Sequence, residues 1–193
     1  MKKIVISGFL FAAAAGIAFF TLGAAPAGKA KSAAVERGKY LVATSACNDC
    51  HTPKKMGPNG PEPDMSRQLS GHVASVKLPA PPPSSGAWPI HTNGDLTAWA
   101  GPWGISFTRN LTPDENTGIG SWSEETFIKA IRTGKHMGVS RPILPPMPWQ
   151  VYSQMTDQDL KAIYAYLRTI PKISNPTPDP VPPPAPPAPA KKK

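Results

Sequence analysis

The sequence predicts a small domain built on three helices, with the chain between them held by turns and prolines. Two observations predict it. Apolar residues recur at helical spacing in three stretches, two of which open on a capping residue. The longest stretch between them, residues 52–108, sustains neither a helical nor a strand period and is rich in proline, of which the chain holds 26. With 40% hydrophobic residues over 193 positions, the length fits one domain with appendages.

Met1–Ala27 reads as an export signal. Lys2 and Lys3 form its positive end, Ile4–Leu22 is apolar apart from Ser7, Gly8, Gly16 and Thr21, and Ala25-Pro26-Ala27 offers small residues for cleavage. The apolar run approaches the ~20 residues that span a bilayer, so an uncleaved anchor is the alternative. Either way the rest of the chain is expected outside the cytoplasm, periplasmic or membrane-anchored. Setting residues 1–27 aside leaves 19 basic against 12 acidic residues. That positive charge is spread thinly rather than gathered on one face, which excludes a nucleic-acid partner.

Residues 28–34 are small and polar and read as a tether. A helix is expected from Val35 to Cys50, with Val35, Leu41 and Val42 apolar. Gly38 lies inside it. An interior glycine costs up to ~1 kcal/mol against alanine and is retained where another backbone comes close, so Gly38 is expected to receive the last helix. Residues 52–108 read as a long ordered loop with short strands or turns, and its His72 and His91 as ordinary surface or core histidines.

Asn110-Leu111-Thr112-Pro113-Asp114 is turn chemistry. Gly118-Ile119-Gly120 is not a dinucleotide fingerprint, since Ser123 stands where the third glycine would be. Asp114, Glu115 and Asn116 lack the EF-hand spacing. Ser123 caps the second helix, with Glu124 and Glu125 in its first turn and Phe127, Ala130 and Ile131 on its buried face. Gly134 ends it, and His136 is expected as an exposed residue beyond the end. Thr156 and Asp159 open the third helix, Leu160, Ile163, Tyr164 and Leu167 form its apolar face, and Pro171 stops it.

The domain is expected to occupy residues 35–174. From 175 to 193 the chain reads as a disordered Pro-rich tail: nine of the fourteen residues from Pro176 to Pro189 are proline, giving a polyproline segment of about 43 Å at ~3.1 Å per residue. Truncation after Asn175 is therefore expected to leave the domain intact. Lys191-Lys192-Lys193 offer a possible hold on an anionic membrane surface.

Cys47-Asn48-Asp49-Cys50-His51 uses the only two cysteines of the chain. The spacing C-x-x-C-H is that of c-type haem attachment: two thiols on one helical turn add to the haem vinyl groups, and the imidazole that follows serves as proximal iron ligand. A thioredoxin-like pair would need a βαβ setting, a structural zinc site a second ligand pair, and a bare Cys47–Cys50 disulfide leaves His51 without a purpose.

In Ile143-Leu144-Pro145-Pro146-Met147-Pro148-Trp149, three prolines and one large aromatic stiffen a loop around one thioether. Its bland alternative is a gap-filling core methionine.

These pieces together resemble the class I c-type cytochromes. The resemblance runs from about Val35 to Pro171, and rests on Arg37-Gly38-Lys39-Tyr40-Leu41, the C-x-x-C-H motif, Asn110–Asp114, Thr117–Gly120 with Trp122-Ser123, Met147-Pro148-Trp149 and Asp159–Leu167. It is closest to the bacterial branch that supplies haem domains to alcohol and gluconate dehydrogenase cytochrome subunits. The resemblance implies a mostly α, class I cytochrome c-like fold with a long Pro-rich insertion, in which Gly38 meets the region of Tyr164 and Leu167. It implies one covalent haem c on Cys47 and Cys50, with His51 and Met147 as axial ligands. His72, His91 and His136 would be the candidates for a bis-histidine site, and Met137 and Met155 the next methionines. Met147 lies 96 residues after His51, farther than in small cytochromes c. Those subunits carry several C-x-x-C-H motifs and this chain carries one.

The function implied is periplasmic electron transfer to redox partner proteins, a dehydrogenase or a terminal oxidase. The alternatives are a haem subunit permanently docked in such a complex, and a peroxidase-like enzyme, for which no distal acid–base group can be read.

Overall fold

Two helices cross at a glycine, and that crossing sets the frame. In the computed structural model, which describes residues 27–83 and 86–184, α1 spans Ala27–Thr44 and α5 spans Asp157–Leu167. All of the expected export segment except Ala27, and Lys191–Lys193, lie outside the described residues. Residues 28–34 are the first turns of α1 rather than a tether; alanine and lysine favour helix enough to continue it outward. Among the described residues, no helix is long and apolar enough to cross a membrane.

A Cβ on Gly38 would fall on the carbonyl of Ala162 and the Cβ of Tyr166. The contact falls in and beside the expected region of Tyr164 and Leu167, on Ala162 and Tyr166. Residues four apart share a helix face, whereas Tyr164 is turned toward α3 (Glu124–Thr133), its ring beside Phe127 and its hydroxyl donating at 2.6 Å to Trp122 O just ahead of that helix. Gly38→Ala should cost about 2 kcal/mol net, an overpacking penalty of ~3 against a helix-propensity gain of up to ~1. The urea midpoint of the folded protein would fall accordingly; an unchanged midpoint would mean that the helices separate easily here.

The caps form as the sequence implies. Ser123 Oγ accepts from Thr126 N at 3.1 Å, and Thr156 Oγ1 accepts from Asp159 N at 3.1 Å. Arg37 Nε donates to Asp159 Oδ1 at 3.0 Å, tying α1 to the start of α5. Between the helices, Leu41, Val42, Leu69, Phe127, Leu160 and Leu167 are buried together.

Residues 52–108 hold more strand than a loop would. β1 (Lys54–Gly57) and β2 (Gly60–Pro63) form an antiparallel hairpin, and β3 (His91–Thr92), β4 (Ala98–Gly101) and β5 (Gly104–Phe107) form a three-stranded antiparallel sheet. None of these five strands exceeds four residues, too short for alternation to register in the sequence. The segment is tied inward by Leu69 N to Thr52 Oγ1 at 2.9 Å, Gly71 N to His51 O at 2.8 Å and Leu111 N to Leu69 O at 2.8 Å.

The C-terminal segment corrects the sequence reading most. The chain does not leave the fold at residue 175. Asn175 is 3% exposed; its Nδ2 donates to Ser70 O at 2.7 Å and His72 O at 2.8 Å, and its Oδ1 accepts from Ala74 N at 3.1 Å. Arg109 Nη1 donates to Thr177 O at 3.0 Å and Pro178 O at 2.9 Å. Val181 exchanges both backbone hydrogen bonds with Ile105 of β5, at 2.8 and 2.9 Å. Prolines lack donors but keep their carbonyls, so a proline-rich strand can dock through its acceptors wherever an arginine meets it. Asn175→Ala strands three backbone groups; at ~1–3 kcal/mol per unsatisfied group, of which water recovers part, the cost should be about 3 kcal/mol. Chemical denaturation checks it, and a cost below ~1 kcal/mol would mean the segment is only loosely laid on. Truncation after Asn175 should now destabilise the domain, contrary to the expectation from sequence.

Candidate functional site

α1 ends where Ala46 takes the left-handed conformation, φ 57°. That pivot starts α2 (Cys47–His51) in a new direction, and Tyr152 reinforces it by donating its hydroxyl to Ser45 O at 2.7 Å. Cys47 and Cys50 lie three apart on this short helix and so share a side. Both are free thiols. Burial pushes the Cys47 thiol up to about 11, with the nearby Cys50 and Asp49 adding to the shift, and burial raises Cys50 as well. Thiol–disulfide catalysts need the opposite, a depressed thiol.

His51 Nδ1 lies 2.8 Å from Arg109 O. A carbonyl only accepts, so Nδ1 holds the proton and Nε2 keeps its lone pair. Burial lowers the His51 pKa against the raising effect of that hydrogen bond. A neutral imidazole with its rear nitrogen anchored is the form a metal-binding histidine takes.

These three residues open on a cavity of about 820 Å³, within the range of small-molecule and cofactor sites. Its walls are chiefly apolar side chains, among them Val42, Leu111, Phe127 and Leu167. Met147 also lines it. The loop that carries Met147 is fixed at both flanks: Ser106 Oγ donates to Pro145 O at 2.5 Å, Trp149 N donates to Met147 O at 2.9 Å, and the Trp149 indole lies against Gly134 at the end of α3. Gly134 has φ 63°, and a Cβ there would collide with that ring, so glycine suits the position twice.

The fold thus brings Cys47, Cys50, His51 and Met147 to one cavity, as the resemblance implies. His136, Met137 and Met155 also line it. The expectation of an exposed His136 is corrected: the residue is half-buried and meets Trp122 edge-on, with ring centroids 5.2 Å apart. A three-residue turn, His136–Gly138, folds the chain back here instead of releasing it. His72 is elsewhere, 1% exposed, with Nδ1 2.9 Å from Thr97 Oγ1 and its ring tilted on Phe107. His91 belongs to β3, while Met56 and Met65 are exposed.

Sequence reasoning missed Arg109 and Arg141, which also line the cavity. Arg109 precedes the Asn110–Asp114 run, and it is placed by that run. Asn110 Nδ2 donates to Ile173 O at 2.7 Å and to Thr117 Oγ1 at 3.1 Å, and its Oδ1 accepts from Thr112 N at 2.9 Å.

A helical domain whose cysteine pair and neutral imidazole face a large apolar cavity has the arrangement of c-type haem proteins. The chain belongs to the cytochrome c family: the Cytochrome c family model matches residues 35–171. It is 30% identical, over 82% of its length and 26% of the relative's, to the cytochrome c subunit of a quinone-type alcohol dehydrogenase from Gluconobacter oxydans (strain 621H). It is 31% identical, over 72% of its length and 23% of the relative's, to the gluconate 2-dehydrogenase cytochrome c subunit of Pantoea cypripedii. The fructose dehydrogenase cytochrome subunit of Gluconobacter japonicus is 28% identical over 75% of this chain. The chain spans about a quarter of the length of these curated relatives. Membership in this family makes it a haem protein of electron transport.

Proposed function

We propose that this protein transfers electrons outside the cytoplasm through one haem c, held covalently by Cys47 and Cys50 with His51 and Met147 on the iron. The observation that carries the reading is the His51 contact: Nδ1 spent on Arg109 O at 2.8 Å leaves Nε2 as the free ligand nitrogen beside two thiols and an apolar cavity. The haem supplies a one-electron iron couple when bound. The chain's own part is to hold and insulate it. Cys47 and Cys50 each add S–H across a vinyl group, forming a C–S bond and placing the hydrogen on the neighbouring carbon. The apolar walls keep water from the ring. The restrained loop would offer the Met147 thioether to the iron, and sulfur ligation there would favour a high potential.

Met147 is preferred to the other groups on the cavity because prolines flank it on both sides and its loop is pinned through Pro145 O and its own carbonyl, whereas Met155 packs against the apolar core. Met137 is 44% exposed and sits at φ 54°, and His136 is engaged with Trp122. Haem staining after denaturing electrophoresis tests the reading. Protein matured in a host competent for c-type cytochromes should stain at the polypeptide's position, and an unstained band would contradict covalent attachment.

A second reading, permanent residence in a dehydrogenase or oxidase complex, is favoured by the exposed apolar side chains Val76, Leu78, Trp88 and Ile90, with Trp88 79% exposed. It also agrees with the dehydrogenase subunits among the relatives. Purification from the native host separates the two: a subunit comes with a stoichiometric partner and a free carrier alone.

A further inference from the structure

Charged side chains reach the cavity in separate groups. Asp49 lines it beside the thiols, and it acts on both of them together with Lys54, which acts on Cys50. Glu115 is paired with Lys172 Nζ at 3.0 Å. The remaining group is Arg109, Arg141, His136 and Asp179, all on the cavity wall. It carries two fixed positive charges against one carboxylate. That carboxylate, Asp179, is 90% exposed and lies 3.6 Å from Arg109 Nη1.

The two guanidiniums have donors to spare. Arg109 uses Nη1 on the carbonyls of Thr177 and Pro178, while its Nε and Nη2 hold no hydrogen bond among the described residues. Arg141 is half-buried, and its side chain makes no hydrogen bond or ion pair among the described residues. Burial and then the charge of Arg141 lower the Arg109 pKa, and burial followed by the charges of Arg141 and Arg109 lowers that of His136. Partly buried, mutually repelling cations on an apolar wall are costly unless an anion joins them.

A haem brings that anion. Its vinyl groups lie on one half of the ring and its two propionates on the other, so attachment at Cys47 and Cys50 sends the propionates away from the thiols. The number of carboxylates matches the number of guanidiniums, and a guanidinium fork suits a carboxylate. We propose that Arg109 and Arg141 receive the haem propionates, and that the strap of residues 176–180, pinned by Arg109, closes over that edge. This rests on the haem reading given above. Arg109 then serves twice: its carbonyl orients His51, and its guanidinium is shared between the strap and a propionate. Residues 175–181, written in sequence as a tail, become part of the cofactor site.

Arg141→Gln isolates the claim, because the Arg141 side chain supports nothing else in the fold; Arg141→Lys is the charge-preserving control. Both are matured with haem, and the readouts are haem content, midpoint potential and the propionate bending mode in resonance Raman spectra. A positive charge near the iron favours the ferrous state. Arg141→Gln should retain covalent haem, lower the potential and shift the propionate mode, while Arg141→Lys should keep most of the potential. The double variant Arg109→Lys/Arg141→Gln should shift the propionate mode further than Arg141→Gln alone. Full haem content with potential and propionate mode both as in wild type would overturn the proposal. Wild-type protein without covalent haem would overturn the haem reading, and this proposal with it.

Discussion

Cys47→Ala/Cys50→Ala should hold no covalent haem, and the polypeptide should lose its cooperative fold as well. The first effect follows from the proposed thioethers, since these are the chain's only cysteines. Each single variant should keep at most one bond to the haem. The second follows from the size of the cavity. At ~24 cal/mol per Å³ of empty apolar space, 820 Å³ would forfeit on the order of 20 kcal/mol. Part of that space is open to solvent, and a third of the figure is the fairer estimate. Even that, roughly 7 kcal/mol, consumes most of the ~5–15 kcal/mol that holds a domain together. The haem, on this account, completes the core that α1, α3 and α5 leave unfilled. The double variant should show no haem stain, broad thermal unfolding and ready proteolysis. A stained band would sink the attachment, and a sharp unfolding transition without haem would show that the cavity collapses or hydrates cheaply.

Met147→Ala should leave the covalent haem in place and change its electronic state. The near-infrared sulfur–iron band of the ferric protein should vanish, added small ligands should bind, and the potential should fall on the order of 0.2 V, a modest part of the ~0.8 V that axial ligation spans. The magnitude is large because a weak thioether ligand depends on its loop. Fixing the backbone of a loop residue costs ~1–2 kcal/mol if the bond must do it alone. Here Ser106 on Pro145 and Trp149 on Gly134 have already restrained the segment. Met147→His should restore six-coordination at a lower potential than wild type. A retained sulfur–iron band in Met147→Ala would move the assignment to Met137 or Met155, both of which line the cavity.

The legible parts of this molecule were those whose physics is local. Ser123 and Thr156 announce helix starts because a cap needs only a side chain and the next turn. C-x-x-C-H declares its chemistry because the helix itself sets the spacing. Gly38 was legible as a close approach to the last helix, but which residues it meets, Ala162 and Tyr166, depends on how α5 is rotated. The acceptor for His51 was hidden for a different reason: it is a backbone carbonyl, which any residue at position 109 would supply. Short strands in residues 54–107 could be expected but not placed, because runs of two to four residues leave no period to detect. The C-terminal segment packs despite its proline content, which by composition alone implies a free tail. Asn175, Thr177 and Val181 interrupt the prolines at the points where the chain is bound, by Asn175's own amide and by the partners Arg109 and Ile105.

A potentiometric titration of the wild-type protein, followed in the visible and near-infrared, decides whether a single haem c is held by His51 and Met147. One reversible one-electron step is expected, with sharp low-spin visible bands on reduction and a weak sulfur–iron band present only in the oxidised form. A high-spin ferric spectrum without that band, or more than one redox step in the isolated chain, would contradict that arrangement.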